Sequence, residues 1–371
     1  MNKTEKKSKA VRIWNKRMGS NLIKKKGLVF VGMSGGVDSS VAAALLKKQG
    51  FEVVGVFLKV WDPSETDKNI KCTWREDRRE AMRVAAFLDI PLVTWDLSKE
   101  YKAKIVDYML NEYRAGRTPN PDIMCNKYVK FGAFYDKAIS LGANYVATGH
   151  YAQIKNNTLL KAKDASKDQA YFLYQIKPEV LTKIIFPVGG LLKTEVRKLA
   201  QKFKLPNAER KDSQGLCFIG KFDFKEFLKS ELKTNAGHVL NEAGEIIGTH
   251  EGAGLYTLGE RHGFIITAKT PNDKPYYIVA KDIKANTLTV SQDPNRNKLA
   301  KQEFSLTETN WFSLPLDNKN YSAQIRYHGA LLDCKLEGDK IIFTKPLTDL
   351  AAGQSVVVYD GQVVVGGGII C

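Results

Sequence analysis

The stretch GMSGGVDSS, residues 32–40, joins the apolar run LVFVGM to the helical pattern VDSSVAAALLKKQG. Gly35 and Gly36 allow close backbone approach, the serines add hydroxyl groups, and a helix N-terminus presents N–H groups without partners. This combination is typical of a loop that binds phosphate or pyrophosphate, and Asp38 could help to hold a magnesium ion. A kinase-type loop is disfavoured because GxxxxGK[ST] is absent. A plain strand-to-helix turn rarely gathers so many such residues.

Outward from this loop, short apolar runs alternate with helical patterns as far as about residue 204. FEVVGVFLKV and PLVTWDL read as strands, REAMRVAAFLDI as a helix, and YVATGHY as a buried strand. Further helices are expected at residues 99–115 and 127–141, and GLLKTEVRKLAQKFKL ends at Pro206. Repeated strand and helix predict an α/β fold with a doubly wound parallel sheet.

The sequence changes character after about residue 221. Short alternating runs are punctuated by Gly, Asn and Asp, as in KPYYIVAKDIKANTLTVSQD and QSVVVYDGQVVVGGGII. YDGQ predicts a hairpin turn between two Val-rich strands, because Asp-Gly supplies the positive φ that such turns need. We therefore expect an α/β domain at residues 27–220 and two small β-rich domains, at residues 221–298 and 299–371.

Composition bounds the class of protein. A chain of 371 residues that is 43% hydrophobic can bury a core in two or three domains. Residues 1–26 hold ten Lys or Arg and one Glu, which is +9 of the total +17, so this basic tail is either disordered and solvated or binds a polyanion. No apolar run of about 18 residues and no secretory signal is evident, so we expect no membrane segment and a cytoplasmic location.

Cysteine and histidine spacing argues against structural sites. The five cysteines are odd in number and form no CxxC, which disfavours a disulfide framework and a zinc site. The five histidines form no HExxH or other ligand spacing. Any metal ion should therefore arrive with a nucleotide.

A second motif, AGRTPNPDIMCNKYVKFG at residues 115–132, places Cys125 in or near the first turn of a predicted helix. There the helix dipole and the nearby Lys127 and Lys130 would favour the thiolate, which is the nucleophilic form. Asp122 would cap the helix or act as a general acid or base. The alternatives are a buried structural cysteine and an ordinary N-cap aspartate.

A third motif, RKDSQGLCFIG at residues 210–220, places Cys217 in a glycine-rich segment behind a basic pair. An accessible, mobile thiol fits this pattern, and so does a small apolar residue in a β-turn. Two cysteines in loops, 92 positions apart (217 minus 125), suggest a reactive pair.

These motifs carry a family resemblance. SGGVDSS resembles the PP-loop of ATP pyrophosphatases, which adenylate an oxygen and release pyrophosphate. Together with TGHYA at residues 148–152 and KDQAYFL at 167–173, the motifs resemble the tRNA-specific 2-thiouridylases. The resemblance extends over nearly the whole chain after residue 27 and includes QIRYHGA and PLTDLAAGQSVVVYDGQVVVGGG. The resemblance implies a Rossmann-like catalytic domain and a last domain that is a tRNA-binding β-barrel. The basic tail lies outside the pattern, and Ala170 stands where relatives commonly carry serine.

The resemblance also implies roles for individual residues. Cys125 matches the nucleophile, Cys217 the persulfide carrier and Asp122 the acid or base. ATP binding is implied for Gly32, Met33, Ser34, Gly35, Gly36, Val37, Asp38, Ser39, Leu58 and Gly149. The segment facing the target base is implied to be Asn120, Pro121 and Asp122. Contact with tRNA is implied for His150, Lys167, Asp168, Gln169, Arg326, Tyr327 and Gln354.

Without the family resemblance, the residue types support the predicted tRNA contacts only weakly. Arg326 beside Tyr327 offers a guanidinium for phosphate and a ring for stacking on an unpaired base. An ordinary half-exposed strand pair would look the same, and His150 could be a satisfied residue at a strand end.

The implied reaction is 2-thiolation of the wobble uridine of tRNA. ATP with Mg²⁺ adenylates the C2 oxygen, and a persulfide on Cys217, loaded by a cysteine desulfurase or a sulfur-relay protein, supplies the sulfur while a Cys125–Cys217 disulfide forms. The partners are the tRNA anticodon arm and that sulfur donor. Two alternatives stay open: another PP-loop enzyme, such as an amide-forming or lysidine-type synthetase, which would not need both cysteines, and a catalytically silent RNA-binding protein.

Overall fold

The computed structural model describes residues 26–60, 74–211, 224–267, 273–293, 301–347 and 350–371. All of the predicted basic tail except Lys26 lies outside these ranges. The predicted persulfide carrier Cys217 lies outside them as well, and so does Cys72.

A parallel sheet of five strands forms the centre of the first half, in the order β3-β2-β1-β4-β7. Its strands are β1 Leu28–Gly32, β2 Glu52–Lys59, β3 Leu92–Asp96, β4 Tyr145–Ala147 and β7 Ile184–Ile185. The interiors of β1 and β2 are fully buried, as expected where helices cover both faces of a parallel sheet. Because β1 lies between β2 and β4, the strand order reverses beside it. Ligands bind at such a switch point, outside the carboxyl ends of the strands.

Helices connect these strands and cover the sheet. They are α1 Val37–Lys48, α2 Trp74–Phe87, α3 Ser98–Tyr101, α4 Asp107–Arg114, α5 Pro121–Met124, α6 Phe134–Ser140 and α7 Lys193–Lys202. Two π-helical segments, Lys102–Val106 and Cys125–Ala133, make α3–α4 and α5–α6 continuous. Two 3-10 turns are Ala170–Leu173 and Pro178–Lys183.

The helix expected from residue 127 starts six positions earlier. Asn120 caps it, because its side chain accepts a hydrogen bond from the Ile123 amide at 3.2 Å, and Pro121 occupies the first helical position, which needs no N–H donor. No helix within the described ranges has both the length and the apolar content to cross a membrane.

A smaller sheet follows helix α8, Phe224–Leu232, in the order β10-β9-β8-β12-β11. Its strands are β8 Gly237–Leu240, β9 Ile246–His250, β10 Ile265–Ile266, β11 Tyr277–Asp282 and β12 Thr287–Ser291. A 3-10 turn, Ala253–Leu255, lies between β9 and β10. Strands β8 and β12 are parallel and the other pairs antiparallel.

The last domain is a closed antiparallel barrel of six strands. These are β13 Lys301–Trp311, β14 Tyr321–Gln324, β15 Leu332–Glu337, β16 Lys340–Leu347, β17 Ser355–Asp360 and β18 Val363–Ile370. Strand β13 pairs with both β16 and β18 and so closes the barrel. The predicted YDGQ turn is confirmed: Asp360 pairs with Val363, and Gly361 has φ +60°. The expected fold class is therefore correct.

One connection was not expected. A hairpin in the first half, β5 Gln153–Lys155 and β6 Thr158–Leu160, extends the barrel sheet through the pairing of Leu160 with Val363. The barrel is thus joined to the first half by a continuous sheet.

Candidate active site

The loop after β1 turns sharply at Gly35. Its φ is +79°, and a Cβ atom there would lie 2.4 Å from the carbonyl oxygen of Asp77 in the first turn of α2. Gly36 is the N-cap residue of α1 and no side chain caps this helix. The N–H groups of its first turn therefore remain available for an anion, as expected for a phosphate-binding loop.

The serines of the loop hold its shape. Ser39 Oγ and Ser40 Oγ donate to the Gly36 carbonyl at 3.1 and 2.8 Å, and Ser34 Oγ accepts from the Gly36 amide at 3.3 Å. We expected these hydroxyls as donors to a ligand. In this structure Ser39 and Ser40 donate to backbone, so the backbone N–H groups are the ready donors.

Two distant side chains hold the outer side of the loop. Asn207 Nδ2 donates to the Gly35 carbonyl at 2.8 Å and to Ser40 Oγ at 3.0 Å, and Arg210 Nη1 donates to the same carbonyl at 3.0 Å. Arg210 also forms an ion pair with Asp77. Sequence reasoning missed both residues, since nothing local marks them as contacts of a loop about 170 positions earlier.

Asp38 is engaged by a lysine and a tyrosine. Lys193 Nζ lies 2.7 and 2.8 Å from its two carboxylate oxygens, and Tyr151 donates its hydroxyl to Oδ1 at 2.8 Å. Lys193 is the first residue of α7, and it brings an ammonium group to a loop whose motif contains no lysine. Among the described residues no group of three or more His, Cys, Asp or Glu could hold a metal ion. Asp38 alone fits Mg²⁺ only as one ligand of an ion that is carried mainly by nucleotide phosphates.

The end of β4 is packed against this loop. A Cβ atom on Gly149 would lie 2.6 Å from the Ser39 amide nitrogen and 2.7 Å from the Asp38 carbonyl carbon. Only glycine permits this approach. The predicted ATP-binding position of Gly149 therefore lies directly beside the first turn of α1.

The next residue, His150, faces away from the loop and is 8% exposed. Its Nδ1 lies 2.7 Å from Thr148 Oγ1 and its Nε2 lies 3.1 Å from Lys130 Nζ. Burial first, and then the Lys130 charge, hold the pKa of His150 well below its usual value of 6.5, so the ring is neutral. An ammonium donor on Nε2 leaves the proton on Nδ1, which donates to Thr148. The predicted tRNA contact at His150 is thus a buried ring here.

Lys130 belongs to the helix that carries Cys125. This helix lies between two hydrophobic cores: Cys125 and Val129 pack in the core that contains Phe30 and Trp95, whereas Ile123 and Phe131 pack in the core that contains Tyr171. Cys125 is a free thiol and is 1% exposed. Because α5 and the π-helical segment form one continuous helix that begins at Pro121, Cys125 is its fifth residue and lies near the first turn, as expected.

One expectation about this helix needs correction. The N-cap is Asn120, and Asp122 occupies the second helical position, because the Asn120 side chain is the one that reaches the Ile123 amide. The Lys127 ammonium lies 3.4 Å from a Glu308 carboxylate oxygen and over the Tyr128 ring, and the Lys130 ammonium contacts His150.

Asn126, next to Cys125, links this helix to an aromatic wall. It is 2% exposed, and its Nδ2 donates to the Asp122 carbonyl at 3.0 Å and to the Phe172 carbonyl at 3.2 Å. The Phe172 ring lies 4.4 Å from the Tyr327 ring, centroid to centroid. Burial raises the pKa of Tyr327, and the Asp168 and Asp122 carboxylates add to the rise. The half-exposed ring of Tyr327 therefore lies beside Phe172, although 155 positions (327 minus 172) separate them.

Three of the other predicted tRNA contacts accept hydrogen bonds from backbone amides through their side chains. Asp168 Oδ1 accepts from the amides of Ala162 and Ala170, Gln169 Oε1 accepts from the Tyr151 amide, and Gln354 Oε1 accepts from the Ala351 amide. Burial raises the pKa of Asp168. The Lys167 amide donates to the Asp164 carbonyl, and the Arg326 carbonyl accepts from the Gly329 amide.

The remaining residues that were predicted to bind the nucleotide lie at or near the carboxyl ends of the sheet strands. Gly32 ends β1, Met33 and Val37 are buried at the two ends of the loop, and Leu58 is a buried residue near the end of β2. The loop and Leu58 thus occupy the carboxyl ends of adjacent strands.

Comparison with known proteins gives three family matches in chain order. Sequence profiles match at residues 27–221, described as tRNA methyl transferase HUP domain, at 225–292, tRNA methyl transferase PRC-barrel domain, and at 301–370, aminomethyltransferase beta-barrel domain.

Curated relatives match over almost the whole chain. The tRNA-specific 2-thiouridylase MnmA of Nitrosomonas europaea is 43% identical over 93% of this chain and 98% of that protein. The protein of the same name from Enterococcus faecalis is 43% identical over 93% of this chain and 95% of that protein. A solved 4-thiouridine synthetase in complex with RNA and ATP is 22% identical with a TM-score of 0.34, covering 56% of this chain and 50% of that one, and this likeness is too distant to support a conclusion.

Proposed function

The chain belongs to the family of tRNA-specific 2-thiouridylases, and we propose that it replaces the C2 oxygen of the wobble uridine of tRNA with sulfur in an ATP-dependent reaction. It is an enzyme, a tRNA-uridine 2-sulfurtransferase. The profile descriptions mention methyl transfer, but the curated relatives that align over 93% of the chain are named for thiolation.

One observation supports this function best: the Thr148–His150 segment contacts both the phosphate-binding loop and the helix that carries Cys125. Gly149 packs on the first turn of α1, and His150 binds Lys130 of the Cys125 helix. The segment that follows β4 therefore links the phosphate-binding loop to the helix that carries Cys125. A 2-thiolation enzyme needs these two centres together. An amide-forming or lysidine-type enzyme would need the loop alone.

In the first step the C2 oxygen of uridine attacks the α-phosphorus of ATP. An oxygen–phosphorus bond forms, the bond between the α- and β-phosphates breaks, and pyrophosphate leaves. The N–H groups at the start of α1 and the ammonium of Lys193 are placed to receive the leaving charge. Mg²⁺, when bound with the nucleotide, neutralises phosphate charge, and Asp38 is the carboxylate that would help to hold it.

In the second step we assign Cys217 as the persulfide carrier and Cys125 as its partner. The terminal sulfur of Cys217 attacks C2, a carbon–sulfur bond forms, and AMP leaves with the former C2 oxygen. The Cys125 thiolate then attacks Cys217 Sγ, which breaks the sulfur–sulfur bond, releases 2-thiouridine and leaves a Cys125–Cys217 disulfide. Two electrons pass from the cysteines to the transferred sulfur, and a cellular dithiol must return them.

The base itself would meet the segment from Asn120 to Asp122 and the Tyr327 ring. The wobble base lies in the anticodon loop and is already unpaired, so placing it in a pocket costs little compared with flipping it from a duplex. Asp122 is the acid or base in this proposal. The two β-rich domains, at residues 221–298 and 299–371, would hold the anticodon arm. Lys167 of the first domain, together with Arg326 and Gln354, would make the outer contacts.

Two partners follow from the chemistry. One is tRNA, and the other is a cysteine desulfurase or sulfur-relay protein that loads Cys217. We place the reaction in the cytoplasm, where reducing conditions permit a transient disulfide to be reset.

The test is formation of 2-thiouridine in unmodified tRNA with ATP and a persulfide donor, read as retardation on a mercury-containing gel. Wild-type protein should retard the tRNA and Cys217→Ser should not, whereas Cys371→Ser, which removes an exposed thiol, should behave as wild type. ATP consumption without retardation would exclude thiolation and favour another PP-loop synthetase. Absence of both would favour a silent RNA-binding protein.

A further inference from the structure

The carbonyl of Gly35 accepts hydrogen bonds from Asn207 Nδ2 at 2.8 Å and Arg210 Nη1 at 3.0 Å. We propose that Asn207 and Arg210 are positioning residues for ATP, which hold the peptide between Gly35 and Gly36 so that the N–H groups of the loop face the phosphates. This inference rests on the ATP-binding function proposed above and adds two residues to it.

The argument starts from the planarity of the peptide bond. In a trans peptide the carbonyl of one residue and the N–H of the next point in opposite directions. The Gly35 carbonyl points outward to Asn207 and Arg210, so the Gly36 N–H must point to the inner side of the loop, where it lies 3.3 Å from Ser34 Oγ. A rotation of this one peptide would turn a carbonyl oxygen towards the anion and repel it.

Such a rotation is easy unless something prevents it. Both residues that flank this peptide are glycines, which have the widest choice of backbone conformations. The orientation of the loop therefore depends on groups outside it.

Asn207 is well suited to this task. It is 3% exposed, and its Nδ2 donates to two acceptors, the Gly35 carbonyl and Ser40 Oγ, which fixes the orientation of the amide. Its Oδ1 is buried and has no hydrogen-bond partner among the described residues. A buried polar atom without a partner is costly, so the side chain is kept for its two donated bonds.

Arg210 is held from two sides. Its guanidinium pairs with Asp77, the residue whose carbonyl a Cβ on Gly35 would strike. Its backbone carbonyl accepts from Arg197 Nη1, which also donates to the Ala208 carbonyl at 3.1 Å. The loop, the first turn of α2 and the turn at residues 207–210 therefore form one rigid contact.

The experiment measures Mg·ATP affinity of the full chain by calorimetry for wild type, Asn207→Leu and Arg210→Gln. Each substitution removes donors from the Gly35 carbonyl and should weaken ATP binding about tenfold. Affinity for unmodified tRNA should stay within about twofold of wild type. Arg210→Lys keeps the charge but not the forked guanidinium, so it should also bind ATP weakly.

Arg79→Gln is the matched control. Arg79 lines the same cleft between α2 and the turn at residues 207–210, but no described contact links it to Gly35, so ATP affinity should not change. Thermal melting of each variant reports whether it is folded.

Two results would overturn the proposal. One is ATP affinity within twofold of wild type in both folded variants, which would leave the proposed function intact. The other is an equal loss of ATP and tRNA affinity together with a large fall in melting temperature, which would assign both residues to general stability. If wild-type protein itself failed to bind ATP, the proposed function would fail first.

Discussion

The nucleotide loop and the Cys125 region are built in opposite ways. The loop at residues 32–40 is contiguous in sequence and presents backbone N–H groups, and its side chains serve mainly to keep its shape. The Cys125 region is assembled from three separate parts of the chain, residues 120–126, 168–172 and 326–328, and consists of side chains: aromatic rings and a carboxylate, with the Cys125 thiol buried behind them.

This difference fits what each region must recognise. Phosphate is small and symmetrical, and a helix N-terminus with a glycine turn is enough to bind it. An unpaired base in an anticodon loop needs a stacking surface and shaped polar contacts, which one short segment cannot supply. Substitutions should therefore divide into two groups, those that affect ATP and those that affect tRNA.

Replacement of Cys125 with Ala should have the largest effect. Thiolation should fall by about 10³-fold or more, because the proposed disulfide partner is lost, while ATP binding stays unchanged. The mercury-gel assay and calorimetry on the same preparation measure the two quantities. Cys334→Ala is the matched control, since Cys334 is another buried free thiol, located in the barrel. A Cys125→Ala variant that still thiolates tRNA would remove Cys125 from the mechanism.

Replacement of Gly35 with Ala should have the next largest effect, and on ATP. The new Cβ would lie 2.4 Å from a backbone oxygen at a φ of +79°, so the loop must move. We expect ATP affinity to fall about 100-fold, with tRNA affinity unchanged. Gly244→Ala carries the same backbone strain, φ +84°, with no atom near the added Cβ, and it controls for strain alone. Equal behaviour of the two variants would mean that the close contact at Gly35 is unimportant.

Replacement of Asn126 with Leu should affect tRNA rather than ATP, and its effect should be smaller than that of Gly35→Ala. It leaves the Asp122 and Phe172 carbonyls without this donor, so the Cys125 helix should shift from the Tyr327 wall and kcat/KM for tRNA should fall about tenfold, with ATP affinity retained. Asn310→Leu is a close match: Asn310 also bridges two carbonyls, those of Tyr174 and Ile176, neither of which belongs to this helix. If Asn310→Leu lowered kcat/KM equally, the effect would belong to stability.

The smallest expected effect is a pH dependence of stability that comes from His150, which lies between the two regions. The pKa of His150 is held well below 6.5, so the unfolded state binds more protons than the native state once the pH falls below that value. Stability is therefore fully present above about pH 6.5 and should decline on acidification, by at most about 1.4 kcal/mol per pH unit for this one group. Melting temperatures between pH 8 and 5 measure this, and His150→Gln should flatten the decline. An unaltered slope would show that His150 does not cause it.

The sequence predicted the strand, loop and helix at residues 28–48 well because the determinants are local. Gly35 and Gly36 between a strand and a helix predicted the loop, and the alternation of strands and helices predicted the sheet that places it at the switch point. The Asp-Gly pair predicted the hairpin of β17 and β18 in the same way. The hairpin of β5 and β6 had a similar local signal, since Asn156 and Asn157 both adopt positive φ, but it was not recognised.

The Cys125 region was harder to predict because distance in sequence hides its contacts. Phe172 and Tyr327 come together only when the barrel packs on the first half. The π-helical segment at residues 125–133 has no simple sequence signature. The family resemblance pointed to Tyr327 and His150, but the contacts of Lys130, Asn126 and Lys193 became visible only in the folded structure.

The continuous sheet between the first half and the barrel has a consequence for a chain that is still being made. Ile123 and Phe131, which flank Cys125, share their core with Val357, Tyr359 and Val364 of β17 and β18. The contacts of the nucleotide loop are complete at residue 210, whereas this core needs residue 364, which is 154 residues later (364 minus 210). At about 5–20 residues per second this interval lasts about 8–30 s. During that time the loop of a nascent chain can already meet Asn207 and Arg210, whereas the core beside Cys125 still lacks strands β17 and β18.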